Sequence, residues 1–178
     1  EKFRLLGGEP LLHPNIESFI SIAYEVFPDI SRELVTNGIL IEHMSDQFWN
    51  ICKSTGTRIY VSRYPLNLNY EEISKILENK GIENIVGVVP KGFDKHCIDA
   101  EKKRHPILSH LLCIESHGPY MQLKAGRLYK CSHAAYSYNL NKRFGLEIHQ
   151  QNHDSVNIFS INKLNEIYRY LSRPIPFC

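Results

Sequence analysis

Four short apolar runs, residues 3–6, 33–35, 58–61 and 84–89, alternate along this chain with three stretches whose apolar residues return every three or four positions. The runs have the length and β-branched content of strands, and the stretches have the period of helices that bury one face. This β-α-β-α-β-α-β order constrains the fold more than any other feature. A helix between two strands returns the chain to the same end of the sheet, so the strands are expected to lie parallel. The first helix places Ile16, Phe19, Ile20, Ala23 and Phe27 on one side, with Pro14 and Asn15 at its start and Pro28 past its end. The second covers 45–54, with Phe48, Trp49 and Cys52 inward and Gly56 beyond it. The third covers 70–80, carries Ile73, Ile76 and Leu77, and closes at Gly81.

A parallel α/β sheet gathers its strand-to-helix loops on one rim, where ligands bind in such folds. On that rim fall Gly7-Gly8-Glu9-Pro10, Thr36-Asn37-Gly38, Ser62-Arg63-Tyr64 and Pro90-Lys91-Gly92. The alternation ends there, which divides the chain into a βα part, 1–92, and a C-terminal part, 93–178. In the second part, 120–123 and 127–130 flank Lys124-Ala125-Gly126 and predict a β-hairpin. Residues 160–171 predict a closing helix with Ile161, Leu164, Ile167, Tyr168 and Leu171 on one face, stopped by Pro174 and Pro176.

Composition narrows the function classes. At 178 residues the chain is one domain, or one with a small appendage. A net charge of +2 supplies no field that would gather nucleic acid or anionic membrane. Lys102-Lys103-Arg104-His105 lacks interleaved aromatics and predicts a solvated face, so no nucleic-acid partner is expected. The apolar fraction of 43% with ten Gly and nine Pro excludes disorder as the main state. No apolar run approaches the roughly 20 residues of a membrane span, and no signal-peptide pattern opens the chain, so no membrane partner is expected. Five cysteines, Cys52, Cys97, Cys113, Cys131 and Cys178, form an odd, scattered set. That pattern favours reduced thiols or a metal site in the cytoplasm over a secreted disulfide framework.

The segment 5–14, LLGGEPLLHP, carries the most chemistry. Two glycines after a strand let a ligand approach the backbone, Glu9 offers a carboxylate, and Pro10 stiffens the loop. The plain alternative is a tight turn. A phosphate loop is disfavoured, since neither GxxxxGK[ST] nor GxGxxG is present and Glu9 would repel phosphate. GGEP after a strand, then a helix and a strand ending TNG, resembles the radical S-adenosylmethionine (SAM) superfamily. The resemblance implies an α/β fold, a partial (β/α)6 TIM-like barrel, with SAM on the rim. Gly7, Gly8 and Glu9 would then line the amino end of the methionyl moiety, with Pro10 shaping the loop. Asn37 ends the next strand, Ser62 and Arg63 fall where the family places ribose or carboxylate contacts, and 85–89 (IVGVV), with Gly87 and Val89, resembles the strand under the adenine. The acidic residue usual after that strand is absent.

Cys113 and Cys131 enclose Gly126 in the spacing CX12GX4C, which resembles the opening of a SPASM or twitch extension binding an auxiliary [4Fe-4S] cluster. Thiolates suit such clusters as soft, anionic donors. Cys178 would be a third ligand, with a fourth expected beyond the last residue. Two structural cysteines are the plain alternative, and a zinc site from Cys113, His117, Cys131 and His133 is another. Cys52 and Cys97 are expected to be core or incidental thiols, and His43, His105 and His149 surface residues.

The family's catalytic [4Fe-4S] cluster is held by CxxxCxxC upstream of GGEP, and these residues contain no such motif. The chain also opens without Met, so the resemblance implies a piece of a longer enzyme. The parent would reductively cleave SAM to a 5′-deoxyadenosyl radical that abstracts hydrogen from a peptide or small metabolite; the chain as given would be inactive alone. Its first strand would offer an edge for self-association or for another segment. A reading of a different class is a non-catalytic metal-binding interaction module built on the hairpin cysteines.

Overall fold

The computed structural model describes residues 2–88, 105–113, 120–146 and 152–178. The chain divides into two compact units, Glu1–Asp94 and Lys95–Cys178.

The first unit runs β1 (Lys2–Leu5), α1 (Ile16–Val26), β2 (Ser31–Thr36), α2 (Asp46–Thr55), β3 (Arg58–Val61), α3 (Tyr70–Asn79) and β4 (Asn84–Val86). Its sheet has the order β1-β2-β3-β4 and every pairing is parallel, with Leu5 opposite Leu34, Leu34 opposite Ile59 and Val61 opposite Val86. Ser45 Oγ accepts from the Phe48 N–H to start α2, and Gly56 closes it in the left-handed region at φ 61°. Asn69 Oδ1 accepts from the Glu72 N–H to start α3. One apolar cluster joins all three helices to the sheet: Ile16 and Ile20 of α1, Phe48, Trp49 and Cys52 of α2, and Ile73 and Leu77 of α3 meet Leu34, Ile59 and Val61. Each large side chain fully buried there contributes about 1.5–3 kcal/mol.

Because strand neighbours alternate faces, the opposite side of the sheet carries Lys2, Arg4, Glu33, Arg58 and Tyr60. Glu33 is buried, and its carboxylate takes Lys2 Nζ at 2.8 Å, Arg4 Nε at 2.9 Å and Arg58 at 3.4 Å. Sequential strand order with every helix on one face is single winding. A doubly wound sheet instead reverses its strand order to place helices on both faces.

Several expected boundaries move. The first strand starts one residue earlier and leaves Leu6 outside and exposed. The fourth stops at Val86, although the Gly87 N–H still donates to Val61 O at 2.9 Å. Phe19, expected inward, is exposed and lies edge-on against the His13 ring at 4.9 Å. The described strands form an open four-stranded sheet rather than a closed barrel.

The second unit contains α4 (Pro106–Leu112), β5 (Gln122–Lys124), β6 (Arg127–Tyr129), α5 (Ser132–Phe144), β7 (Ser155–Asn157) and α6 (Leu164–Leu171). The expected hairpin is present, turned through Ala125 and Gly126 at φ 48° and 70°, the two positive φ values of a tight hairpin loop. β7 adds a third, antiparallel strand that periodicity did not reveal. The closing helix is shorter than expected, because Asn157 Oδ1 accepts from the Phe159 N–H and caps a separate turn at Ile158–Ser160. Its inward face also differs. Leu164 and Tyr168 are exposed while Tyr170 is buried, its hydroxyl donating to Asp154 O at 2.6 Å and accepting from the Lys130 N–H at 3.2 Å. Among the described residues no helix is long and apolar enough to cross a membrane.

Candidate functional site

In the first unit the candidate site is built at the C-terminal ends of β1 and β2. Glu9 follows β1 and starts the short helical turn Pro10–Leu12, whose Leu11 N–H donates to Glu9 Oε1 at 3.1 Å. The same oxygen accepts from Thr36 Oγ1 at 2.7 Å, and Oε2 accepts from the Asn37 N–H at 2.9 Å. Thr36 is buried, and its hydroxyl oxygen also accepts from the Gly38 N–H at 3.1 Å. Gly38 needs to be glycine: φ is +87°, and a Cβ there would meet Val61 Cγ1 at 3.0 Å and Ile73 Cδ1 at 3.2 Å. The TNG triplet is therefore a connector that locks the carboxylate of one loop to the end of the next strand.

Gly7 and Gly8 have negative φ, and nothing lies within 4 Å of where a Cβ would stand. Neither backbone conformation nor packing within the protein demands glycine at these positions; what the pair provides is open space beside Glu9. A carboxylate offers about four lone-pair directions, and the protein's own donors take two on Oε1 and one on Oε2. The remaining direction, on Oε2, suits an ammonium donor.

The other expected rim residues occupy the ends of β2, β3 and β4. Asn37 Oδ1 accepts from the Ile39 N–H at 2.9 Å, so its side chain shapes the turn. The Ser62 N–H donates to Thr36 O at 2.8 Å. Arg63 is exposed with its guanidinium 5.0 Å from the centre of the Tyr70 ring, and Tyr70 Oη is tied to the backbone N–H and C=O of Tyr64. At Gly87 a Cβ would stand 2.9 Å from Tyr60 Oη, the outer end of that side chain. Val89 and Pro90-Lys91-Gly92 lie outside the described residues. Thr36 was not singled out by sequence reasoning as a site residue, although the TNG motif contained it.

In the second unit the three cysteines expected to bind metal come from separate segments: Cys113 ends α4, Cys131 starts α5, and Cys178 ends the chain. Cys131 Sγ accepts from the Ala134 N–H at 3.4 Å as the cap of α5. All three thiols lie within electrostatic reach of Lys130, a buried lysine that sequence reasoning passed over. Burial pushes the Lys130 ammonium below the ordinary lysine range, and Cys178, Cys131 and Cys113 pull against that shift. Burial raises the Cys178 thiol, opposed by a backbone hydrogen bond at Ile175 and by Lys130.

Among the described residues no three His, Cys, Asp or Glu side chains stand where they would share one metal ion. A single zinc ion needs its donors within about 2.0–2.3 Å of one point, whereas a cubane cluster spreads its thiolates over separate irons. Thiols are the soft donors that such a cluster takes. His117 of the zinc alternative, Cys97, Lys102-Lys103-Arg104 and His149 lie outside the described residues. Cys52 is a core thiol, as its place in the sequence suggested, and burial pushes it up to about 12.

No family model matches the chain. Among curated proteins it is similar to GTP 3',8-cyclase of Sulfurovum sp. (strain NBC37-1), 30% identical over 95 residues, which is 53% of this chain and 26% of that protein. It is also similar to GTP 3',8-cyclase of Aliarcobacter butzleri, 32% identical over 48% of this chain and 25% of the relative, and of Campylobacter curvus, 32% over 46% and 23%. Each match covers about a quarter of the relative's length and about half of this chain.

Proposed function

We propose that this chain is part of a radical SAM enzyme and that its first unit holds the methionyl end of SAM. The observation that carries the proposal is the Glu9 carboxylate. It is fixed on the rim of a parallel sheet by the Leu11 N–H, Thr36 Oγ1 and the Asn37 N–H, beside the open backbone of Gly7 and Gly8. The SAM ammonium would take the remaining direction of Glu9 Oε2, with Pro10 holding the loop. Asn37, Ser62, Arg63, Gly87 and Val89 would line the adenosyl side. Single winding of the sheet supports completion into a partial (β/α)6 barrel, with the charged face of Lys2, Arg4, Glu33 and Arg58 turned to its interior. The edge of β1 is where a further strand, or a second copy of the chain, would pair.

When bound to SAM, a reduced [4Fe-4S] cluster supplies the electron that starts hydrogen abstraction. No CxxxCxxC lies in these 178 residues, so the proposal assigns this chain binding and orientation of SAM rather than its cleavage. Cys113, Cys131 and Cys178 are proposed as ligands of an auxiliary cluster in a SPASM-like extension. For the substrate, the relatives' printed activity on a nucleotide favours a small metabolite over a peptide.

Isothermal titration of the chain with SAM tests the reading. Binding is expected for the wild type and at least about tenfold weaker for Glu9→Gln, which keeps the shape and removes the charge. Equal affinity of the two proteins, or no binding by the wild type, overturns it.

A further inference from the structure

Lys130 touches every segment that carries one of the three thiols. It precedes Cys131 in the chain, its Nζ donates to Arg173 O at 2.8 Å in the segment leading to Cys178, and its Nζ stands 3.5 Å from His110 Nε2, three residues before Cys113. The side chain is buried, and among the described residues no carboxylate pairs with it. A buried ammonium without a counter-charge is costly, so a protein that keeps one has to balance it by other means. Cys178, Cys131 and Cys113 all interact with this ammonium, and their thiols become anionic when they bind metal.

We propose that Lys130 is a positioning residue that draws the segments bearing Cys113, Cys131 and Cys178 together and balances the negative charge of the iron–sulfur cluster they bind. This rests on the auxiliary-cluster reading above and goes beyond it by assigning a residue that is not a ligand. Net charge and surrounding hydrogen bonds set the potential of such a cluster. A fixed cation beside it favours the reduced, more negative state.

The test uses the full chain, reconstituted anaerobically with ferrous iron and sulfide, in wild-type, Lys130→Met, Lys130→Gln and Lys130→Arg forms. The readouts are iron bound per chain and the midpoint potential from a dye-mediated titration followed by visible absorption. Lys130→Met is expected to bind less iron and to shift the potential to more negative values, while Lys130→Arg restores the wild-type potential. Lys130→Gln keeps a donor for Arg173 O without the charge. It is expected to shift the potential as Lys130→Met does, and it decides the matter if the methionine variant fails to fold. Uncharged variants with the wild-type potential overturn the role of Lys130 and leave the cluster reading standing. A wild-type chain that binds no iron overturns both.

Discussion

In the first unit fourteen buried residues form one apolar cluster that joins three helices to a sheet, whereas the corresponding cluster described in the second has three, Ala134, Tyr170 and Ile175. Around those three the second unit buries polar groups: Lys130, His110, Asp154, Ser137 and Ser155. Its order there depends on directed bonds, such as Tyr170 Oη to Asp154 O and the Phe177 N–H to Asp154 Oδ1 at 2.8 Å. Apolar packing tolerates small shifts in position, whereas a buried hydrogen bond loses most of its value once its geometry is lost. The first unit is therefore built to hold its shape before any ligand arrives. The second depends, among its described residues, on buried polar groups that hold one another.

The sharpest way to break this contrast is Phe48→Ala, which removes a fully buried ring from the larger cluster. A loss of about 3–5 kcal/mol is expected in a urea titration followed by the fluorescence of Trp49, the sole tryptophan. A loss under about 1 kcal/mol would show that the apolar cluster is not what holds this unit.

Next in size is Glu33→Gln, at about 2 kcal/mol, since hydrogen bonds to a charged group are lost while the basic side chains remain partly wetted. Burial by itself would raise the Glu33 carboxyl, but the hydrogen bonds and charges of Lys2 and Arg4 outweigh it and hold the group below its ordinary value of 4.5. A carboxyl lowered on folding stabilises the protein above its unfolded value and loses that contribution as pH falls through the folded one. The difference between wild type and variant should thus be full near pH 7 and shrink below about pH 4.5. A difference that does not change between pH 7 and pH 3 would remove the ion cluster from the account.

The smallest effect is expected for Tyr170→Phe, about 1–2 kcal/mol, from losing one donor and one acceptor in a buried site. Hydrogen exchange at the Lys130 amide reports it locally: exchange should quicken in the variant. Unchanged exchange there would mean that apolar contacts suffice in the second unit as well.

Much of the first unit was legible in the sequence because its signals are local. β-branched runs mark strands, apolar residues returning every three or four positions mark helices, and the GGEP and TNG loops fall where strands end. The misses share a cause. Glu33 looks like an ordinary strand residue until parallel register sets Arg4 and Arg58 on either side of it. Lys130 looks like a surface lysine, and only residues 20 and 43 positions away give its ammonium a place to be buried. Tyr170 lies off the apolar face that the helical period marks, and its hydroxyl finds partners 16 and 40 residues distant. Helical period ranks side chains by apolarity and does not register a polar tip satisfied from far along the chain.

Thr36 Oγ1 accepts from the Gly38 N–H and donates its own O–H to Glu9, which ties two loops from different strands together. A molecule docking against Glu9 therefore meets a carboxylate whose rotational freedom was surrendered during folding, and its affinity is not drained by freezing that side chain. The same splice carries force: any pull on the carboxylate is felt at the Gly38 turn, so strain entering at one loop is delivered to its neighbour.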